Sequence, residues 1–182
     1  MQTASPPAGP GRPDVTFRPV EPGDEELLYR IYAGTRAEEL APVPWSEAQK
    51  EAFLRMQFRA QSLDYAANFP DAEFLVILAG GEAAGRLYVH RRADEVRIVD
   101  IALLPERRGA GIGGAILRSL LAEAAAAAKP VRIHVEHLNP ALRLYERLGF
   151  RRTGDDGVYL LMEWLPDATG CAPAAPPASE IS

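Results

Sequence analysis

The sequence predicts a mixed α/β fold in which helices flank a central sheet within one domain. Short apolar runs rich in β-branched residues share the chain with longer stretches of helical periodicity, and these patterns are typical of strands and helices respectively. The paired glycines Gly80 and Gly81 lie between two strand-like runs and predict a tight hairpin. A strand-like run from Ile98 to Leu104 leads through a glycine cluster into a helical pattern, which predicts a strand, a turn and a helix in succession.

Length, net charge and cysteine content exclude several classes of protein and partner. A chain of 182 residues with a net charge of −5 and no basic run suits one domain and argues against nucleic acid as a partner. The single cysteine, Cys171, cannot form a disulfide within one chain or a cysteine metal cluster. The chain shows neither a secretory leader pattern nor an apolar run approaching about 18 residues. We therefore expect a soluble cytoplasmic protein without a membrane partner or a metal.

The two ends of the chain are expected to be disordered tails around one folded domain. Residues 1–13 and 167–182 are rich in proline and alanine and hold too little apolar surface to order themselves. The folded domain is therefore expected over residues 14–166.

The N-terminal part of the domain is predicted to form one strand and two helices. Residues 15–20 are predicted to form the strand. Asp24, followed by two glutamates, is a typical start for the first helix, and Pro42 ends it. Ser46 is the expected N-cap of a second helix that runs to about Ala67.

The second helix carries two apolar stripes, of which one should pack on the sheet. The other faces more core, the substrate groove or a partner chain, and the sequence leaves these alternatives open. We expect a homodimer from this doubled stripe. The first stripe consists of Phe53, Met56, Ala60, Leu63 and Ala67, and the second of Leu54, Phe58, Tyr65 and Phe69.

The rest of the domain is predicted to combine strands with two further helices. One helix begins at Ile112, and a short one runs from Pro140 to Leu148. Gly149 is a natural residue to end the short helix because it tolerates a positive φ. The predicted strands are 74–79 and 84–90 in the glycine hairpin, then 96–104, 131–136, 150–152 and 158–165.

The glycine cluster after the central strand predicts an anion site. The first N–H groups of a helix lack partners within the helix, and the helix dipole favours negative charge there. Glycine lets a ligand approach the backbone because it has no Cβ. We therefore expect a phosphate or pyrophosphate on this loop, which contains Gly109, Gly111, Gly113 and Gly114 after Arg108.

Other interpretations of the same glycines are weaker. Gly109 to Gly114 also fits the G-x-G-x-x-G pattern of dinucleotide-binding folds, with Glu136 ending a strand about twenty residues later. A Rossmann sheet, however, opens with its glycine loop, whereas this loop lies at mid-chain. A P-loop is excluded because no Gly-Lys-Ser/Thr sequence occurs. A purely structural turn is the remaining alternative.

Two motifs resemble those of the GNAT superfamily of acyl-CoA N-acyltransferases. Residues 108–113, Arg-Gly-Ala-Gly-Ile-Gly, resemble its Arg/Gln-x-x-Gly-x-Gly/Ala signature. Residues 139–150, from Asn139 through Leu-Tyr145 to Gly149-Phe150, resemble its Asn…Leu-Tyr-x-x-x-Gly-Phe block. The motifs occur in family order and are far more specific together than either alone. The resemblance covers roughly residues 15–165.

The resemblance implies a mixed, mostly antiparallel sheet of six or seven strands with about four helices. It also implies acetyl-CoA as the co-substrate, with its pyrophosphate on the glycine loop. A free backbone N–H near Leu103 or Leu104 would polarise the acetyl carbonyl. The residues expected to contact the cofactor are Leu103, Leu104, Arg108, Gly109, Ala110, Gly111, Ile112, Gly113, Gly114, Asn139 and Tyr145.

Acyl transfer to an amine needs a base for the amine proton and an acid for the departing thiolate. Tyr145 matches the family tyrosine near the CoA sulfur, often the acid; a core tyrosine is the alternative. Asp100 is the one polar residue in the apolar run from Ile98 to Leu104 and is either a base or a structural hydrogen-bonder. His134 and Glu136 share a face of the next strand. A histidine titrates in the useful range, so His134 is favoured as the base.

The sequence therefore predicts an acetyl-CoA-dependent N-acetyltransferase that transfers the acetyl group directly to a primary amine. The alternative is a GNAT-like module that binds acyl-CoA as a sensor or assembly partner without turnover. The acceptor is open: a small-molecule amine, an antibiotic, an amino acid or a protein N-terminus.

Overall fold

The computed structural model describes residues 14–166 and confirms the predicted fold class. It contains a seven-stranded sheet, antiparallel except at one strand pair, with four helices. The predicted tails, residues 1–13 and 167–182 with Cys171, lie outside the described residues. The strands are Val15–Pro19 (β1), Glu73–Ala79 (β2), Glu82–Arg91 (β3), Val96–Leu103 (β4), Val131–Glu136 (β5), Arg151–Asp155 (β6) and Tyr159–Trp164 (β7). The helices are Glu25–Leu40 (α1), Glu47–Asn68 (α2), Ile112–Ala126 (α3) and Leu142–Arg147 (α4).

The strand order in the sheet is β1-β2-β3-β4-β5-β7-β6. The predicted hairpin of β2 and β3 turns at Gly80 and Gly81, whose φ angles are 60° and 82°, and only glycine adopts such values freely. β4 and β5 run parallel and are joined by α3, since parallel strands need a crossover connection. β7 lies between β5 and β6 and is antiparallel to both.

Strand β6 is longer than predicted, whereas the other strands begin and end close to the predicted positions. It was expected over 150–152 and continues to Asp155. A bulge lies between Arg152 and Gly154, and Gly154 then pairs with Leu161 of β7. The bulge allows pairing to continue up to a turn in which Gly157 has a φ of 89°.

Helices cover the sheet from both faces, and a separate core forms on each. α3 and α4 pack on one face, with Ile98 and Leu117 among the buried side chains. α1 and α2 pack on the other face, around Ile31 and Phe58. Within residues 14–166, no helix is both long enough and apolar enough to cross a bilayer.

Helix α2 uses only one of its two stripes for packing. Leu54 and Phe58 are buried, whereas Met56 and Leu63 are 57% and 72% exposed. The second stripe therefore faces the interior, and the first stripe is open to solvent. Ser46 caps the helix as predicted, since its side chain accepts a hydrogen bond from the backbone of the first turn.

Candidate functional site

A gap between β4 and β5 is the central feature of the site. These parallel strands pair only over Val96–Ile98 and Val131–Ile133. β4 then continues to Leu103 and β5 to Glu136 without pairing with each other. The backbone N–H and C=O groups that face the gap therefore lack a ladder partner. In open α/β sheets, ligands bind outside the carboxyl ends of adjacent strands in this way.

The N–H groups of Leu103 and Leu104 point in opposite directions. Leu104 donates to the carbonyl of Ala84 at 2.9 Å, so its N–H is not free, and of the two predicted alternatives the N–H of Leu103 remains. Because N–H direction alternates along an antiparallel ladder, the N–H of Leu103 points away from β3 and into the gap. Gly85 allows the close approach of β3, since a Cβ there would clash with the carbonyl oxygen of Ala102. Leu103 is therefore the residue that can polarise a bound carbonyl.

The glycine loop follows β4 directly and opens to solvent beside the gap. α3 begins at Ile112, inside the glycine cluster, as predicted. Gly109 and Gly111 have φ angles of 75° and 77°, and a Cβ added to either would meet no atom within 4 Å. The N–H of Ala115 already bonds to the helix, whereas the N–H groups of residues 112–114 lie in the first turn, where an anion can accept them.

Arg108 points at protein carbonyls in the structure. Its Nε donates to the carbonyl of Leu103 at 3.2 Å, and its Nη2 donates to the carbonyl of Gly34 in α1 at 3.0 Å. Gly34 is closely packed here, because a Cβ on it would lie 2.8 Å from Cγ of Pro105. Arg108 thus fastens α1 to the start of the loop, and its contact with a pyrophosphate stays a prediction.

Arg118 is a further cation of the site, which neither motif indicates. Its Nη1 lies 3.2 Å from the position that a Cβ would take on Gly114, so its guanidinium reaches back over the first turn of α3. Helical side chains point toward the N-terminus and meet the residue four positions earlier. The spacing from Gly114 to Arg118 was therefore the available signal. Its charge adds to the positive end of the helix dipole.

Tyr145 lies in α4 and is only 3% exposed, with its ring centroid 5.5 Å from that of Phe150. Burial and then the negative charge of Asp100 raise the pKa of Tyr145 above its ordinary value. The hydroxyl therefore keeps its proton at neutral pH, as a general acid must. Asn139 lies two residues before Ala141, the N-cap of α4, and accepts a hydrogen bond from the N–H of Ala141 at 2.8 Å, so its side chain closes the turn that leads into the helix.

Asp100 is not a lone carboxylate, because a buried arginine lies against it. Its Oδ2 is 2.6 Å from Nη2 of Arg86 in β3, and Arg86 is only 3% exposed. The same Nη2 donates to Oε1 of Gln61 in α2 at 2.8 Å. The sequence does not reveal Arg86, since β3 otherwise reads as an ordinary apolar hairpin strand. The arginine reduces the cost of placing a carboxylate inside an apolar strand.

His134 and Glu136 have different surroundings, although they occur two residues apart on β5. Nδ1 of His134 is 3.2 Å from Nη1 of Arg97. Partial shielding from water and then repulsion by Arg97 lower the pKa of His134, so the imidazole is neutral at pH 7. Glu136 forms a two-pronged ion pair with Arg36 of α1, at 2.6 and 3.0 Å. Both oxygens of Glu136 are therefore engaged.

Four of the predicted residues lie on the two strands that border the gap: Leu103 and Asp100 on β4, and His134 and Glu136 on β5. Tyr145 is buried in the core on the α3 and α4 face, and the charge of Asp100 contributes to its raised pKa. Asp100, His134 and Glu136 each contact an arginine. Leu103, Asp100 and Tyr145 supply an N–H donor, a carboxylate and a protonated phenol, which are the groups that acyl transfer to an amine requires. Within residues 14–166, no cluster of His, Cys, Asp and Glu is arranged to hold a metal ion.

The region that contains both motifs matches the model of a known protein family. Residues 70–152 match the family model described as an acetyltransferase (GNAT) domain. This stretch contains the glycine loop, the gap and the block from Asn139 to Phe150. The match confirms the resemblance inferred from the two motifs.

Solved structures of GNAT acetyltransferases have the same fold. A PaiA N-acetyltransferase from Thermoplasma acidophilum in complex with coenzyme A superposes with a TM-score of 0.63 at 20% identity, over 84% of this chain and 99% of that one. Ard1 from Thermoplasma volcanium superposes with a TM-score of 0.54 at 23% identity, over 84% of this chain and 97% of that one. The ribosomal-protein-S18-alanine N-acetyltransferase from Escherichia coli gives 0.52 at 22% identity, over 82% and 90%. At these identities the likeness shows the fold.

Proposed function

We propose that this chain, which contains a GNAT acetyltransferase domain, transfers an acetyl group from acetyl-CoA directly to a primary amine. The observation that carries the proposal is that the gap between β4 and β5 and the open glycine loop occur together at one end of the sheet. An extended chain fits between strands whose facing backbone groups are unpaired, and a pyrophosphate fits the start of a helix. Acetyl-CoA has both parts. The coenzyme A complex of a protein with the same fold supports this choice.

The residues around the gap have complementary roles in this reaction. The amine nitrogen forms a bond to the acetyl carbon, and the bond from that carbon to sulfur breaks. The N–H of Leu103 stabilises the negative charge that develops on the carbonyl oxygen. A base accepts the proton that the amine loses, and Tyr145 donates its proton to the departing thiolate sulfur. A phenol with a raised pKa is fully protonated when this step begins.

We propose Asp100 as the base, with His134 as the competing candidate. Asp100 is the only one of the three candidates whose charge contributes to the pKa of Tyr145, which supports a position beside the reacting atoms. Each candidate contacts an arginine, Asp100 with Arg86, His134 with Arg97 and Glu136 with Arg36, so the effect on Tyr145 is what distinguishes Asp100. Asp100→Asn should lower kcat with little change in the KM for acetyl-CoA. If His134→Ala lowers kcat instead and abolishes the acidic limb of the rate profile, His134 is the base.

The acceptor is proposed to approach from the α1 and α2 side of the sheet. Asp100 lies on this side, together with Arg86 and Gln61, and a carboxylate attracts an ammonium group before it loses its proton. One protein with this fold is named a ribosomal-protein-S18-alanine N-acetyltransferase. Protein N-termini therefore belong in the panel of acceptors, beside small amines, amino acids and aminoglycoside antibiotics.

The test is the release of CoA and the formation of the acetylated amine, followed by mass spectrometry across that panel. Turnover with one or more acceptors supports the proposal. Tight binding of acetyl-CoA without turnover on any acceptor would favour the alternative, an acyl-CoA sensor or assembly module. Failure to bind acetyl-CoA at all would contradict both.

We also propose a homodimer. The outward stripe of α2 supports it, because Met56 and Leu63 are 57% and 72% exposed and exposed apolar patches are typical of association surfaces. The chain has a mass of 19.8 kDa. A sedimentation mass of about twice this value would support the dimer, whereas a monomer mass at all concentrations would contradict it.

A further inference from the structure

Arg86 is a buried charged group on the α2 side of the sheet. The residue is 3% exposed and lies in β3, next to the closely packed Gly85. Its guanidinium contacts Asp100 and Gln61, and its Cζ lies 5.2 Å from the ring centroid of Tyr88. A buried arginine is costly unless charge and hydrogen bonds compensate it. Burial is the largest single influence and works against its charge, but Asp100, Tyr88 and Tyr65 together raise the pKa of Arg86 above its ordinary value.

The ion pair leaves hydrogen-bonding capacity unused. Nε of Arg86 and Oδ2 of Asp100 are buried and have no hydrogen-bond partner, although Oδ2 is 2.6 Å from Nη2. The contact is therefore electrostatic, without the parallel two-pronged geometry that arginine usually forms with a carboxylate. A buried ion pair that served stability alone would be expected to satisfy these atoms. The side chain of Asp100 is also 18% exposed, so one part of it is accessible to a ligand.

The groups around Asp100 come from three elements. α2 contributes Gln61 and Tyr65, β3 contributes Arg86 and Tyr88, and α4 contributes Tyr145. Burial first, and then the charge of Asp100, raise the pKa of Tyr65. The three tyrosines are therefore neutral at the pH of an assay. Arg86 is the one cation in this group, and it alone balances the charge of Asp100.

We propose that Arg86 is a positioning residue for acetyl transfer, which fixes the place of the Asp100 carboxylate and sets the charge around it. The inference rests on the proposed function and on Asp100 as its base. Gln61 anchors the guanidinium from α2, so the position of this helix is transmitted to the carboxylate through a single side chain. Without Arg86, the carboxylate would lie in an apolar strand with no opposing charge, and its protonated form would be favoured.

The test compares wild-type enzyme with Arg86→Met and Arg86→Lys on an acceptor that wild type turns over. Arg86→Met should lower kcat by about tenfold or more, move the acidic limb of the kcat profile to higher pH, and leave the KM for acetyl-CoA unchanged. Arg86→Lys keeps the charge but loses the planar fork, so it should restore the position of the limb and part of kcat. If Arg86 served stability alone, Arg86→Met would lower the unfolding temperature without moving the acidic limb of the kcat profile.

Arg91→Met is the matched control. Arg91 lies in the same strand and is held by Glu73 and Glu123, away from the gap. Its replacement also removes an arginine ion pair from β3, and it should leave kcat and the pH profile at wild-type values. All assays are run below the unfolding midpoint of each variant, so that the folded fraction does not enter the comparison.

A second variant covers the case in which Arg86→Met does not fold. Gln61→Ala removes the anchor of Nη2 and keeps both charges, so it should cause a smaller fall in kcat with the same direction of pH shift. The inference is overturned if folded Arg86→Met, or Gln61→Ala in its place, keeps the wild-type kcat and profile. If wild type itself turns over no amine, the proposed function fails first, and that outcome is distinct from either variant result.

Discussion

The two ends of the β4–β5 pair differ in structure and, on this account, in purpose. At one end, Val96–Ile98 and Val131–Ile133 pair in register, and their inward side chains are almost fully buried. At the other end the strands separate. There, Asp100 carries a charge and the chain turns into glycines with positive φ. The first end is regularly paired, whereas at the second end the facing strands are unpaired and the chain continues into glycines with positive φ.

The contrast shows where this fold accepts a cost in stability. Unpaired backbone groups, a charged residue in an apolar strand and left-handed backbone each oppose folding. In β4 and the loop after it, all three occur together beyond residue 98, although Arg97 also places a charge at the paired end. A site for ligand chemistry explains why they occur together, and the paired end supplies the rigidity that holds the open end in place.

The largest expected effect is on turnover at the open end. Tyr145→Phe removes only the hydroxyl, so kcat should fall by about 10²–10⁴-fold, while acetyl-CoA affinity and the unfolding temperature change little. Tyr159→Phe, which removes an exposed hydroxyl on β7, is the control and should retain kcat. Full turnover by Tyr145→Phe would remove the tyrosine from the mechanism.

The paired end should respond in the opposite way. Ile98 is 1% exposed, so Ile98→Ala should lower the free energy of unfolding by about 2–5 kcal/mol through lost burial and a cavity. Urea unfolding measures this change, and calorimetry on the folded variant should give an unchanged dissociation constant for acetyl-CoA. A large loss of affinity would show that the two ends are not separable.

The glycine loop should determine affinity without contributing much to stability. Gly111→Asp puts a side chain and a negative charge where a phosphate is expected, so the dissociation constant for acetyl-CoA should rise by about 100-fold or more. Gly81→Asp is the matched control, because Gly81 has nearly the same φ, 82° against 77°, and equally open surroundings. It shares the backbone strain and should keep wild-type affinity. Equal affinities for the two variants would exclude the loop from the binding site.

The smallest expected effects come from replacing the two arginines near the loop. Their replacements should distinguish a residue that binds the ligand from one that packs the fold. Arg118→Ala should weaken acetyl-CoA binding about tenfold at low salt, and the loss should shrink as salt screens the charge. Arg108→Ala should weaken binding less and lower the unfolding temperature more, because its guanidinium fastens Gly34 to Leu103. Calorimetry at two salt concentrations and a melting curve decide the order. A larger affinity loss for Arg108→Ala than for Arg118→Ala would show that Arg108, and not Arg118, is the main arginine that binds the ligand.

Most of the fold could be predicted because its signals are local. The glycine pair of the hairpin, the capping serine of α2 and the start of α3 at Ile112 each depend on a few neighbouring residues. The end of β6 was missed because the bulge at Gly154 depends on its partner strand. Which stripe of α2 packs inward was left open for the same reason, since the sheet decides it.

The site was predictable only in part, because its electrostatics depend on residues far apart in the chain. Asp100 was identified as unusual, but its partner Arg86 is on another strand. Glu136 looked like a free base candidate, although Arg36, one hundred positions earlier, holds both of its oxygens. The alternation that turns the N–H of Leu104 toward Ala84 likewise requires the register of β3 and β4.

The most direct test of the account is a map of backbone amide shifts in ¹⁵N-labelled protein titrated with acetyl-CoA and, separately, with CoA. We expect both ligands to shift the amides of residues 109–114, and acetyl-CoA alone to shift the amide of Leu103, because only the acetyl carbonyl reaches it. The amides of Val96–Ile98 and Val131–Ile133 should stay in place with either ligand. Identical effects of both ligands at Leu103, or the largest shifts at the paired end, would contradict the claim that the gap between β4 and β5 holds the acetyl group.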